Sequence, residues 1–353
     1  LNINEFQERR DERKIKLGAL IPAEPDRRAK RLAFGRRQLP SSFDWRNNNG
    51  NFITPVKDQG ACGACWAFAT CAAMESNWMV QGGPYSDLSE DNLNECHTFN
   101  ELPCTGGSFY MSQAVMSMHT GIYSEALDPY TPSSQDCYAT STFPSPPTAH
   151  VEEVRFITGT TNDIKQALMT YGAVATTMFM NYNDPTVWDG VNYKYYDASI
   201  SSTDSTYAHC VTIVGWDDNF TFSGAPGNGG WIIKDSYGKT WADTGYFYCS
   251  FYDAGILSEN AVFPNIKTLP NALNVPVVYA YDEMGWVDDF GFGVNQSYAM
   301  SKFTIVPYMG NALPQKIMRA GTYAVDDNMT INLKLYRTFS GGTLSDLIDQ
   351  CTI

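Results

Sequence analysis

Apolar positions along the chain follow two different rhythms. Residues 65–75, Cys65-Trp66-Ala67-Phe68-Ala69-Thr70-Cys71-Ala72-Ala73-Met74-Glu75, are apolar, rich in helix formers and free of breakers, which predicts a helix. Residues 111–119 and 162–171 read as two further helices, and Ser89 is placed to N-cap a short one. From Val151 onward the pattern changes to short runs rich in Val, Ile, Thr and aromatic residues. Residues 151–156, 173–178, 209–216, 230–234 and 245–248 read as strands. The fold class is therefore α+β, a helical half followed by a β half. Pro144-Ser145-Pro146-Pro147 marks the crossing between them.

The flanks differ from this body. Residues 4–20 are charged, with Phe6, Ile15, Leu17 and Leu20 as sparse apolar contacts on a helix that Pro22 and Pro25 would end. The basic pairs Arg27-Arg28, Lys30-Arg31 and Arg36-Arg37 follow, and such pairs in an exposed linker are ready processing sites. Residues 1–38 thus read as a pro-segment or, more plainly, a solvated charged tail. Residues 266–276 read as a linker. Residues 277–353 read as a smaller β-rich domain, with strands around 299–306, 316–324 and 328–336. No run of about 18 apolar residues exists, so no transmembrane helix is predicted.

Charge adds an asymmetry. The net charge is −14, yet residues 1–40 hold 11 Lys/Arg against 6 Asp/Glu, a balance of +5 that leaves −19 for the rest. An acidic body argues against nucleic-acid partners and favours docking of its own basic arm. Nine cysteines allow one free nucleophile and up to four bridges, which suits a secreted or cell-surface protein. The sequons at Asn219, Asn295 and Asn328 are compatible with that location.

The candidate chemistry centres on Gln59-Gly60-Ala61-Cys62-Gly63-Ala64-Cys65-Trp66. A cysteine at the start of a helix has its thiol pKa lowered by the free N–H groups and the dipole, and the thiolate is the nucleophile. A Cys62/Cys65 redox or zinc pair is the competing reading, but no second Cys-x-x-Cys or His-rich cluster accompanies it. The spelling Cys-Gly-Ala-Cys-Trp resembles the signature of papain-like cysteine peptidases. The resemblance runs over residues 39–265. It includes Phe43-Asp44-Trp45-Arg46 near the expected mature start, Ala208-His209-Cys210-Val211 and Trp231-Ile232-Ile233-Lys234-Asp235-Ser236-Tyr237-Gly238.

That resemblance implies two subdomains, one helical and one antiparallel β, with a cleft between them, and no cofactor for catalysis. It implies Cys65 as nucleophile, His209 as acid and base, and Gln59 as an oxyanion donor. Asp235 stands where the family has an imidazole-orienting Asn, and Tyr237 where it has Trp. Gly106 and Gly107 would bind substrate backbone, and Ser108, Phe109, Thr177, Ala208 and Cys210 would line a side-chain pocket. Trp241 would lie on the leaving-group side. Disulfides Cys62–Cys104 and Cys96–Cys137 are implied in the same way. The expected activity is an endopeptidase made as a zymogen, acting on proteins or peptides and inhibited by its own pro-segment. An exopeptidase, with residues 182–207 as a cleft-blocking insertion where the lead reading has a loop that shapes the cleft without closing it, and a non-catalytic surface-binding protein are the alternatives. The tail resembles the lectin-like domain of clostridial cell-wall cysteine proteases through Tyr279-Ala280-Tyr281-Asp282-Glu283-Met284-Gly285-Trp286, which implies a cell-surface glycan or cell-wall partner. Asp282, Glu283, Asp288 and Asp289 are candidate Ca²⁺ ligands or a solvated acidic loop.

Overall fold

The structure, a computed structural model, describes residues 38–97, 102–118, 121–132, 137, 148–151, 154–200, 206–268, 332–340 and 343–352. Residues 1–37 of the expected pro-segment, the tail strands at 299–306 and 316–324, and the 279–286 motif lie outside the described residues. So do the four acidic candidates, His119, Pro144–Pro147, Asn295 and Asn328. The chain divides into two units, Leu1–Met284 and Gly285–Ile353.

In the first unit, helix α1 (Cys65–Val80) is apolar on all sides, so it is buried on nearly all sides, from Cys65 through Trp78. The predicted helix ran to residue 75. It continues for another turn because Trp78 and Val80 keep it covered. Helix α2 (Glu90–Glu95) is capped by Ser89, whose hydroxyl accepts from the Asn92 amide at 2.9 Å. Helix α3 (Phe109–Gln113) starts two residues before the expected position and passes into a π-helical turn, Ala114–Met118. Helix α4 (Thr161–Tyr171) opens with a capping box between Thr160 and Asp163.

The sheet has nine strands. They are β1 (Ser42–Asp44), β3 (Arg155–Phe156), β4 (Val174–Phe179), β5 (Trp188–Asp189), β6 (Lys194–Tyr195), β7 (Ala208–Asp217), β8 (Gly230–Lys234), β9 (Tyr246–Ser250) and β10 (Glu259–Val262). Their order is β3-β10-β4-β7-β8-β9-β6-β5, with β1 added along the far half of β7. Pairing is antiparallel except between β6 and β9. Strand β7 is central and its β-branched run Val211-Thr212-Ile213-Val214 is buried on both faces. The segment that the exopeptidase alternative reads as an insertion supplies β5 and β6, which extend the sheet beyond β9, with β5 at its edge. β2 (His150–Val151) pairs with β11 (Ile266–Lys267), so the expected linker at 266–276 begins inside this unit's structure. In the second unit, β12 (Asn332–Ser340) and β13 (Thr343–Thr352) form an antiparallel ribbon, where the sequence predicted one strand at 328–336.

Two apolar clusters form the core, the first packing α1 and the second packing α4 against the sheet. One gathers Cys65, Trp66, Met74, Phe109, Ala208 and Cys210, and the other gathers Trp45, Val174, Ile213, Trp216, Trp231 and Phe247. Polar bonds fix the register between helix and sheet: the Thr212 hydroxyl donates to the Ala69 carbonyl at 3.3 Å.

Candidate active site

Helix α1 begins at Cys65, with no side-chain cap on Ala64 and no acidic residue in its first turn. Its positive end therefore acts on the Cys65 thiol without local compensation. Disulfides Cys62–Cys104 and Cys96–Cys137 brace the loops in front of this end. Cys65, Cys71, Cys210 and Cys249 are buried and lie outside these disulfides.

Antiparallel pairing brings the other groups to the same place. Thr212 of β7 faces Lys234 of β8, so the start of β7 and the residues just past β8 share one end of the sheet. Carrying that register three residues further sets Tyr237 level with His209, and the two rings stack at 4.9 Å with 13° between their planes. Tyr237 thus covers the imidazole. Trp241 packs edge-on against it at 5.3 Å and Trp188 stacks on Trp241 at 5.8 Å.

His209 Nε2 and Asp235 Oδ1 lie 3.0 Å apart, and both side chains are fully buried. Nε2 is thereby engaged, so His209 acts on the Cys65 sulfur through Nδ1. Burial works to lower the His209 pKa, but the Asp235 carboxylate and the Cys65 sulfur outweigh it and raise the imidazole to about 10. Burial works to raise the Cys65 thiol. Hydrogen bonds from Cys210 and His209 and the imidazolium charge outweigh that and bring it down to about 6. Between those values the pair rests as thiolate and imidazolium.

Gln59 is fully buried and locked. Its Nε2 donates to the Cys62 carbonyl at 2.8 Å, and its Oε1 accepts from the Ser236 hydroxyl at 2.6 Å. A short ladder between residues 57–59 and 236–238 sets this position, with the Gln59 amide bonded to the Ser236 carbonyl at 2.8 Å. Of the two Nε2 hydrogens, one remains for an incoming oxyanion.

Gly106 has φ +125°, and a Cβ on Gly107 would come 2.3 Å from the Trp66 indole, so glycine is required at both. Ser108 precedes α3 and Phe109 is fully buried in the cluster that holds Cys65, Ala208 and Cys210. Thr177 sits opposite Cys210 across β4 and β7, its hydroxyl 3.6 Å from the Cys210 sulfur. Of the other histidines, His97 lies beside Trp66 and His150 is buried in β2.

Two contacts were not anticipated from the sequence. The Cys210 main-chain N–H donates to the Cys65 sulfur at 3.3 Å. The buried Tyr182 hydroxyl donates to Asp235 Oδ2 at 2.9 Å. The second had a signal: Asp in place of Asn brings a second acceptor oxygen into a buried site, and that oxygen needs a donor. Among the described residues, no group of three or more His, Cys, Asp or Glu side chains is arranged to hold a metal ion.

A low-pKa thiol, an imidazole held by a carboxylate and a locked amide donor are the parts of a thiol-dependent acyl-transfer site. A family model for papain family cysteine proteases matches residues 39–262, and the chain belongs to that family. Pro-cathepsin H of Bos taurus is 34% identical over 217 residues, covering 60% of this chain and 60% of the relative. The chain thus spans about 60% of that relative's length. Zingipain-2 of Zingiber officinale is 32% identical over 214 residues, 59% of this chain and 86% of the relative. The procathepsin L2 proteinase of Tenebrio molitor superposes with a TM-score of 0.57 at 26% identity, over 70% of this chain and 78% of that one. The cysteine protease and lectin-like domains of Cwp84, a surface layer associated protein of Clostridium difficile, superpose with a TM-score of 0.61 at 22% identity. They cover 76% of this chain and 60% of that one, a likeness of fold.

Proposed function

We propose that the protein is a cysteine endopeptidase made as a zymogen, hydrolysing peptide bonds through a Cys65 thioester. The observation that carries this reading is the buried line of Cys65, His209 and Asp235 at the start of α1. The thiolate attacks the scissile carbonyl, and the oxyanion takes hydrogen bonds from Gln59 and the helix N-terminus. As the intermediate collapses, the His209 Nδ1 proton passes to the leaving amine. His209 then accepts a proton from water, which attacks the thioester and releases the acid and the free thiol. Asp235 holds the imidazole throughout, and Tyr237 shields their bond from water.

Gly106 and Gly107 pair with extended substrate backbone, and Ser108, Phe109, Thr177, Ala208 and Cys210 form an apolar wall for the side chain one residue beyond the cleaved one. Trp241 flanks the leaving group. Residues 1–38 act as the inhibitory arm and residues 39–265 as the peptidase. Relatives that carry the names pro-cathepsin H and procathepsin L2 support a precursor form. Residues 277–353 form a lectin-like domain that directs a secreted protein to a cell-surface glycan or cell wall; the Cwp84 likeness supports this.

The test is incubation of the full chain across pH with and without an epoxysuccinyl thiol-protease inhibitor, following intact mass and peptide turnover. Loss of the basic arm with rising, inhibitor-sensitive turnover is the expected result. An unchanged mass and no turnover, even after the arm is cut by another protease, overturns it.

A further inference from the structure

Cys210 follows the base directly, and its thiol takes no part in the acyl-transfer steps. Its main-chain nitrogen lies 3.3 Å from the Cys65 sulfur. One N–Cα bond of about 1.46 Å then places the Cys210 Cα within about 4.8 Å of that sulfur. The two thiols also hydrogen-bond each other side chain to side chain, so the sulfurs themselves are in contact. Cys65 at the end of a helix and Cys210 at the start of a central strand are held at close range by fixed elements. Both lie outside the two disulfides, and both sit in one buried apolar cluster.

We infer that Cys65 and Cys210 form an oxidation site, at which hydrogen peroxide drives a reversible intramolecular disulfide that closes the nucleophile. Both sulfurs are buried, so the oxidant has to be small and uncharged. The Cys65 thiolate attacks one peroxide oxygen, the O–O bond breaks, and Cys65 becomes a sulfenic acid while the departing hydroxide takes a proton to become water. The Cys210 sulfur then attacks the Cys65 sulfur, the S–O bond breaks, and the hydroxyl leaves as a second water with the Cys210 proton. Two thiols lose two electrons and one peroxide gains them.

The environment favours this order. Burial first, and then the hydrogen bond and charge of Cys65, hold the Cys210 thiol well above its ordinary range. In the resting state Cys210 is therefore a thiol and Cys65 the reactive sulfur. Conversion of Cys65 to a neutral sulfenic acid removes the negative charge that helps keep Cys210 protonated, so the second sulfur becomes competent only after the first is oxidised. The Thr177 hydroxyl, 3.6 Å from the Cys210 sulfur, supports the thiolate as it forms. Cys71 and Cys249 are also buried thiols that burial holds above their ordinary range.

The experiment treats the full chain with hydrogen peroxide, then maps its peptides by mass without reduction and measures alkylation of Cys65 before and after a dithiol. These readouts need no peptidase activity, so they stand apart from the proposed function. The expected product has lost two hydrogens, carries a Cys65–Cys210 cross-linked peptide, and regains Cys65 alkylation with dithiol. In Cys210→Ala, compared with its own untreated state, Cys65 passes on to the sulfinic acid, and irreversible loss of alkylation is about ten-fold faster than in the parent. Cys210→Ser is a second variant of closer size and has the same expected result. Equal rates of irreversible loss in parent and variants, or Cys65 linked to any other cysteine, overturns the proposal.

Discussion

The charged cluster at the start of α1 and the one beneath its middle are built from similar materials and behave differently. Under the helix, Lys57 meets Glu90 at 2.8 Å, Asp87 at 2.7 Å, Glu75 at 3.5 Å and the Leu88 carbonyl at 2.9 Å. Thr54 donates to Glu75, Lys234 donates to Thr54 at 3.1 Å, and the Leu88 amide caps Glu75 at 2.8 Å. Most charges there have several partners. Burial, against the pull of Lys57, raises Glu90 to about 8, and burial lowers Lys234 to about 8. At the helix start the ionic contacts run in a line, with His209 between Asp235 at 3.0 Å and the Cys65 sulfur. A saturated network holds the helix on the sheet. A line of single contacts leaves a nucleophile and a proton that can move.

The strongest way to separate the two clusters is Cys65→Ala. It removes thiol alkylation at this site and lowers peptide turnover by about 10⁴-fold or more, while the urea midpoint stays nearly fixed. Glu75→Ala does the reverse. It breaks a buried ionic network and costs about 3–5 kcal/mol in urea unfolding, yet leaves the pH limits of Cys65 alkylation in place. If those limits moved with Glu75, the clusters would be one system. Gln59→Ala tests the locked amide: kcat falls about 10²–10³-fold, and the rate of thiol alkylation, which forms no oxyanion, changes little.

Asp235→Asn sharpens the same contrast through pH. The thiolate–imidazolium pair exists above the Cys65 pKa of about 6 and below the His209 pKa of about 10. Burial lowers His209 and the Asp235 charge raises it, so replacing that charge by a neutral amide lowers the His209 pKa. The alkaline limb moves down by about one unit or more, and the acid limb, set by Cys65, stays close to its place. A pH–rate profile with an unmoved alkaline limb would show that Asp235 orients without acting as a charge.

Much of this arrangement was legible in the sequence, and the gaps have physical causes. The apolar, breaker-free run after Cys65 marked α1, and Ser89 marked α2, because caps and helix formers act locally. The β-branched run after His209 marked the central strand β7. Strand β10, Glu259-Asn260-Ala261-Val262, went unmarked because it is four residues long and half polar, and pairing with β4 and β3 makes it a strand. The π turn at Ala114–Met118 carries the same periodic signal as the helix it continues, so residues 111–119 read as one element. The ladder that locks Gln59 to Ser236 joins residues 177 positions apart, and no local rule reports it.

Tyr182 is the smallest and most specific of these cases. Its ring packs edge-on against Tyr237 at 5.9 Å and Trp241 at 5.2 Å, and its hydroxyl gives Asp235 Oδ2 a hydrogen bond. Burial first, and then Asp235, hold the Tyr182 hydroxyl well above its ordinary range, so it stays a donor. Asp235 Oδ1 already serves His209 and the Ser236 amide, leaving Oδ2 to Tyr182. Tyr182→Phe keeps the ring and its packing but leaves a buried carboxylate oxygen short of a donor, at a cost of about 1–3 kcal/mol. The expected result is a fall in kcat with KM little changed, because the group acts on the imidazole's support and touches no substrate. In an Asp235→Asn background the charge that Tyr182 supports is gone, so the same substitution has a smaller effect on kcat. Measured as a double-mutant cycle, a coupling near zero would place Tyr182 among the packing residues of the aromatic cluster, and a coupling of about 1 kcal/mol would place it in the catalytic line.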